Sequence, residues 1–209
     1  MNSSASGLCV DAVHLWRGDQ HVLRGVSLGL QQGELLHLWG ANGTGKTTLL
    51  RIISGLLRPE QGIVNWLGRP INQQRAEYQA AMAYVSHETA LKGDLTALEN
   101  LRYSVGLRRR VSEAALRANL ELTGVNHCAD LPVRILSAGQ RRRVTMARLV
   151  ALGATMWLLD EPYTNLDAAG SALMSRLLDE HIHRGGSALV VAHQDLVLSV
   201  KVRRLELWA

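Results

Sequence analysis

The chain is poor in cysteine and lysine and has no long apolar run. Its two cysteines among 209 residues, Cys9 and Cys128, lie far apart and form no CxxC pair with a matching histidine spacing. That excludes a disulfide framework and a thiolate zinc site, and it suits a reducing compartment. No segment approaches the roughly 18 consecutive apolar residues that a membrane helix needs. The opening MNSSASGLCV has neither the basic start nor the apolar core of a secretory leader. The chain is therefore expected to stay in the cytoplasm, and if it acts on something that crosses a membrane, other chains must supply the spanning helices. Internal repeats and low-complexity tracts are also missing, and collagen-like, coiled-coil and disordered readings are excluded.

What is present, with 47% hydrophobic residues, is the composition of one domain large enough to bury a core. The formal charge of +5 arises from 23 basic against 18 acidic residues. The basic residues, nearly all arginine, are scattered except at 108–110 and 141–143, so an anionic partner is permitted and not required. Short apolar runs at 34–39, 156–159 and 188–192 alternate with helical stretches. That alternation predicts an α/β domain with a buried parallel sheet. Leu8, Val10, Val13 and Leu15, then residues 22–30, with Gly18 and Asp19 between, predict a small antiparallel β layer ahead of it. Between Ala90 and Leu136 the pattern changes to helix formers, at 97–103 and 112–123, which predicts a helical insertion.

Gly40-Ala41-Asn42-Gly43-Thr44-Gly45-Lys46-Thr47 fits GxxxxGK[ST], placed between an apolar strand and the helical run 48–57 that begins with Thr48. Glycines let the backbone amides turn inward around phosphate oxygens. Lys46 can then reach the β and γ phosphates, the Thr47 hydroxyl can ligate Mg²⁺, and the helix start adds partial positive charge. Residues 156–161, Met-Trp-Leu-Leu-Asp-Glu, read as a strand ending in two acids at the carboxyl edge of the sheet, where parallel sheets bind ligands. Asp160 is expected to hold Mg²⁺, directly or through water. Glu161 is expected to orient and deprotonate the water that attacks the γ phosphate.

Leu136-Ser137-Ala138-Gly139-Gln140, followed by Arg141 and a helical run to Leu152, resembles the signature motif of ABC ATPases, with alanine at 138 where that family usually has glycine. The order of phosphate loop, signature, Asp160-Glu161 strand, Asn165-Leu166-Asp167 and then His193 is similar to the family's over nearly the whole chain. The resemblance implies a phosphate-loop NTPase fold, a single nucleotide-binding domain over 1–209 with a helical signature subdomain inserted at about 88–140, and ATP with Mg²⁺ as ligands. It implies a head-to-tail dimer with a second copy, closed on two ATP molecules. Ser137, Ala138, Gly139 and Gln140 would then bind the γ phosphate held by the other subunit, and Asp167 would be the acid of the dimer-contact loop. Trp16 would stack on adenine, and His193 would be the switch histidine that contacts the γ phosphate. His87, in Tyr84-Val85-Ser86-His87, stands where the family usually has a glutamine that touches Mg²⁺ and links to the membrane subunit. With Lys46, Glu161 and His193 it completes the expected catalytic set. Protonated, it would face the cation with like charge, so activity is expected to fall on acidification more steeply than in a His87→Gln variant.

His87, Ala90-Leu91-Lys92, the run 95–101, the short length and LSAGQ followed by RRRV resemble one branch of that family, the ATP-binding subunits of the cytochrome c maturation haem-export system. This implies separate transmembrane subunits, of B type with associated C, D and E components, and a peripheral position on the cytoplasmic face of the bacterial inner membrane. ATP hydrolysis would serve haem export or delivery, or release of the haem chaperone, for c-type cytochromes. Two alternatives stay open: the ATPase of another ABC transporter, because these motifs are shared, and a soluble ABC ATPase acting on nucleic acid or the ribosome. The latter commonly carries tandem cassettes or a long coiled-coil insertion, and no nucleic acid partner is expected here. The arginines at 141–143 open an amphipathic helix and are expected to form a solvated face, while those at 108–110 are given no function. His181 and His183 face apart on a helix and are expected to favour its carboxyl end electrostatically, with no metal between them.

Overall fold

The computed structural model describes residues 7–208. Residues 1–6, most of the stretch read above for a leader, lie outside the described residues, as does residue 209. In chain order the elements are β1 (Gly7–Arg17), β2 (Gln20–Gln31), β3 (Leu35–Trp39), α1 (Lys46–Ile53), β4 (Gln61–Trp66), β5 (Arg69–Pro70), α2 (Arg75–Ala81) and β6 (Met82–Val85). They continue with α3 (Ala97–Gly106), α4 (Glu113–Leu122), α5 (Ala138–Leu152), β7 (Met156–Asp160), α6 (Ala168–His183), β8 (Ser187–Val191) and β9 (Val202–Glu206).

A five-stranded parallel sheet in the order β6-β7-β8-β3-β9 forms the centre, and an antiparallel sheet in the order β2-β1-β4-β5 covers one side. Strand periodicity explains why the centre reads as continuous apolar runs. Met156 and Leu158 of β7 and Leu189 and Val191 of β8 join the core shared with α1 and the antiparallel layer. Trp157, Leu159, Ala188 and Val190 point the other way, into the core under α5 and α6. Both faces are buried, so no polar alternation survives. With no phenylalanine in the chain, leucine, isoleucine and valine fill most of this volume.

A third apolar cluster holds the helical region, where Leu98 and Leu101 of α3 and Leu116 and Leu120 of α4 meet Val144 and Ala147 of α5. Between β6 and α5 the described residues contain no strand, only an isolated bridge from Thr96 to Pro132. The helices there start on ordinary caps. The Thr96 hydroxyl accepts from the Glu99 amide while Glu99 accepts from the Thr96 amide, and Ser112 caps α4. No helix among the described residues is long and apolar enough to cross a membrane. The carboxyl ends of β3, β7 and β8 lie side by side, and the loops that leave them build the site.

Candidate functional site

From Trp39 the chain enters loop 40–45 and then α1. Gly43 and Gly45 take φ of +84° and +92°, the left-handed backbone that glycine holds without strain. A Cβ on Gly45 would stand 2.7 Å from Leu23 Cδ2, so space as well as backbone demands glycine there. Gly45 is the N-cap of α1 and gives no side-chain cap, which leaves the first-turn amides for an anion. The Lys46 ammonium donates to Gly40 O and Ala41 O, each at 2.7 Å, and Thr44 Oγ1 donates to Ala41 O at 3.0 Å. Burial pushes the Lys46 ammonium down from its usual pKa, against the pull of Glu161 and Asp160.

Opposite the loop, β7 ends at Asp160, 1% exposed, and Glu161 follows. Asp160 Oδ2 and Glu161 Oε1 are buried without a hydrogen-bond partner. His193 Nε2, just past β8, is 3.4 Å from Glu161 Oε1. Burial drives the Glu161 carboxyl above the usual carboxylate range, and the charge of Asp160 adds to this, while His193 and Lys46 oppose it. Asp160 Oδ2, buried without a hydrogen-bond partner, and the Thr47 hydroxyl line one cleft and are the oxygen donors that suit a hard divalent cation such as Mg²⁺.

A cleft of about 370 Å³ joins these parts, lined by Asn42, Gly43, Gly45, Lys46, Thr47, Thr48, His87, Asp160, Glu161 and His193, together with Val191, Arg17, Gln20 and Val22. Gly40, Ala41 and Thr44 complete the loop behind Lys46. Trp16 is not among the lining residues. Its indole stacks on the His21 ring, with centroids 3.9 Å apart and planes at 9°, and the neighbouring Arg17 lines the cleft. Ser137, Ala138, Gly139, Gln140 and Asp167 also lie away from this cleft, at the starts of two helices. Ser137 Oγ accepts from the Gln140 amide at 3.1 Å, and Gln140 Oε1 accepts from the Ser137 amide at 2.9 Å. The Gln140 side-chain amide also donates to Cys128 Sγ at 3.4 Å. Asp167 caps α6, accepting from the Gly170 amide at 2.7 Å and from Arg143 at 2.9 Å.

Two expectations about basic residues are corrected. The arginines at 141–143 do not form a solvated face, because Arg142 is 3% exposed and its guanidinium reaches the carbonyls around Glu161. The signal was available in the helix period: Arg142 stands four and seven residues before Met146 and Leu149, which are core residues. His181 is not a free side chain at the helix end. It stacks on Trp157 at 3.9 Å, bonds through Nε2 to Ser187 O at 3.1 Å, and burial pushes its pKa down, which favours neutral imidazole. No cluster of three or more metal-ligating side chains occurs among the described residues. Sequence reasoning missed Arg17, Gln20 and Val22 as cleft residues.

The model of the ABC transporter family matches residues 23–164. The cytochrome c biogenesis ATP-binding export protein CcmA of Methylococcus capsulatus is 43% identical over 205 residues, 98% of this chain and 99% of that protein. The Escherichia coli K12 protein of the same name is 40% identical over 192 residues, 91% of each chain. The solved dimeric structure of MJ0796, a bacterial ABC transporter cassette, shares the fold with a TM-score of 0.85 at 24% identity, over 95% of this chain and 94% of that one. The phosphate loop, the Asp160-Glu161 strand and the helix opened by Ser137 all fall inside the matched segment, and the identity to the relatives runs on to nearly the whole length. The chain therefore belongs to the ABC transporter ATP-binding family, in the branch of the cytochrome c biogenesis ATP-binding export proteins.

Proposed function

We propose that this chain is the ATP-hydrolysing subunit of a membrane complex of cytochrome c biogenesis, and that its turnover drives haem export or delivery, or release of a haem chaperone. The observation that carries the reading is one cleft lined by an uncapped helix start, a lysine and the buried Asp160 and Glu161 carboxylates, the latter with His193 at 3.4 Å. In it, the loop amides and Lys46 hold the β and γ phosphates. Thr47 and Asp160 would hold Mg²⁺, with His87 lining the same cleft; when bound, the ion would supply charge neutralisation for the phosphate oxygens. Glu161, with its proton affinity raised by burial, takes a proton from the attacking water. His193 orients that carboxylate and contacts the γ phosphate.

Arg17 takes the place expected for Trp16, its flat guanidinium stacking on the base beside Val22. The Ser137 hydroxyl spends its acceptor on the Gln140 amide and keeps its proton for a phosphate. With Ala138, Gly139, Gln140 and the cap at Asp167, it completes the site of a second copy in a head-to-tail dimer. One nucleotide-binding domain spans 1–209, with the signature subdomain at about 88–140. It works at the cytoplasmic face of the inner membrane against a B-type membrane protein and its C, D and E associates.

Affinity capture tests this reading. Glu161→Gln slows hydrolysis and leaves ATP binding, so closed complexes persist. Captured with ATP from gently solubilised native membranes, this variant is expected to bring small polytopic proteins and a haem-binding chaperone. Ribosomal or repair proteins without a membrane subunit overturn the reading, and the membrane subunits of an unrelated transporter restrict it to the family.

A further inference from the structure

Arg142 is the buried member of an arginine triplet. Its Nε donates to Pro162 O at 3.0 Å, Nη1 to Ser86 O at 3.4 Å, and Nη2 to Asp160 O at 3.5 Å and to Glu161 O. All of these acceptors are main-chain carbonyls. A guanidinium buried in this way carries a desolvation cost that an apolar side chain of similar volume avoids, so filling space does not account for an arginine at this position. Three of the carbonyls belong to consecutive residues centred on Glu161.

Glu161 has φ of +51°, a left-handed backbone that a residue with a side chain keeps only where its surroundings over-determine it. Pro162 restricts the same residue further. The Glu161 amide donates to Val191 O at 2.9 Å, and its carbonyl accepts from the Thr164 amide at 3.2 Å as well as from Arg142. That backbone angle sets the direction in which the carboxylate leaves the chain.

We propose that Arg142 is a positioning residue: by gripping the carbonyls of residues 160–162 it holds Glu161 in the left-handed conformation that aims its carboxylate at the attacking water, and through Ser86 it keeps the segment carrying His87 in register with it. This rests on the reading of Glu161 as the base. The test is Arg142→Lys, which keeps the charge and loses the planar fork, assayed alone and combined with Glu161→Gln, with Glu161→Gln alone in the same series. Turnover at saturating ATP is expected to fall about tenfold or more, because a small misaiming of a reacting group is costly, while KM and equilibrium ATP affinity stay within about threefold. On the Glu161→Gln background, Arg142→Lys is expected to cost nothing further. Multiplied losses in the double variant, or equal losses in affinity and turnover, overturn the positioning role. If Glu161→Gln by itself leaves turnover intact, the reading of Glu161 fails instead. Should lysine prevent folding, Arg142→Gln, uncharged with two N–H donors, is judged by the same criteria.

Discussion

Two helix starts in this protein are built in opposite ways. At α1 the N-cap is a glycine with no side chain to offer, and the cleft opens on the uncapped turn. At α5 the N-cap is Ser137, bound reciprocally to Gln140 in a capping box. The first start is left open for an anion from solution; the second satisfies its Ser137 and Gln140 amides itself and keeps the Ala138 and Gly139 amides and the Ser137 hydroxyl proton to donate. A helix start that serves its own chain's nucleotide can go without a cap, because the phosphate supplies the missing acceptors. In the head-to-tail dimer proposed above, the second start would hold its shape alone until the other copy arrives.

The largest effect that would break this contrast is at the open end. Glu161→Gln should lower turnover by about a hundredfold or more, the range for loss of a general base, with ATP affinity retained; phosphate release and equilibrium nucleotide binding check both halves. At the closed end, Ser137→Ala removes the cap and should lower stability by about 1 kcal/mol, or a few degrees in Tm, while Ser137→Gly costs only a few tenths. Neither should change ATP affinity of the isolated chain, and an affinity loss in either would place Ser137 in its own chain's site.

Arg17→Ala should weaken ATP about threefold, the scale of one exposed cation–π contact. Trp16→Ala should leave affinity unchanged, and the reverse result would return the base to Trp16. The smallest expected effect is a pH-dependent one on stability. Burial raises the Glu161 pKa in the folded chain, so the ionised carboxylate opposes folding. The cost is absent below the unfolded pKa and complete once pH has passed the raised folded value. Glu161→Gln should therefore melt higher than the parent at neutral pH, and the two melting curves should converge on acidification.

Much of the site was legible because its parts are local. Loop 40–47 lies on one strand-to-helix turn, and Asp160 and Glu161 are adjacent at one strand end, so motif and period placed them without a fold. Arg17 shows where that reasoning stops. β1 carries register shifts between Val13 and Leu15 and between Leu15 and Trp16, and such bulges re-aim side chains, so alternation does not say which of residues 16 and 17 faces the cleft. His181 needed Trp157 from a strand 24 residues earlier to become a stacked, buried ring. Its environment is absent from its own helix.

The sequence by itself determined the α/β order, the phosphate loop and the acid pair, because each depends on neighbours within a few residues. Only the tertiary structure decided that Arg17 lines the cleft, that Arg142 meets the backbone of residues 160–162, and that Ser137 and Asp167 sit away from the cleft their own chain builds. Those outcomes depend on how separate elements approach one another, and the free energy of burial and of partnered polar groups that selects the approach is shared among residues far apart in the chain.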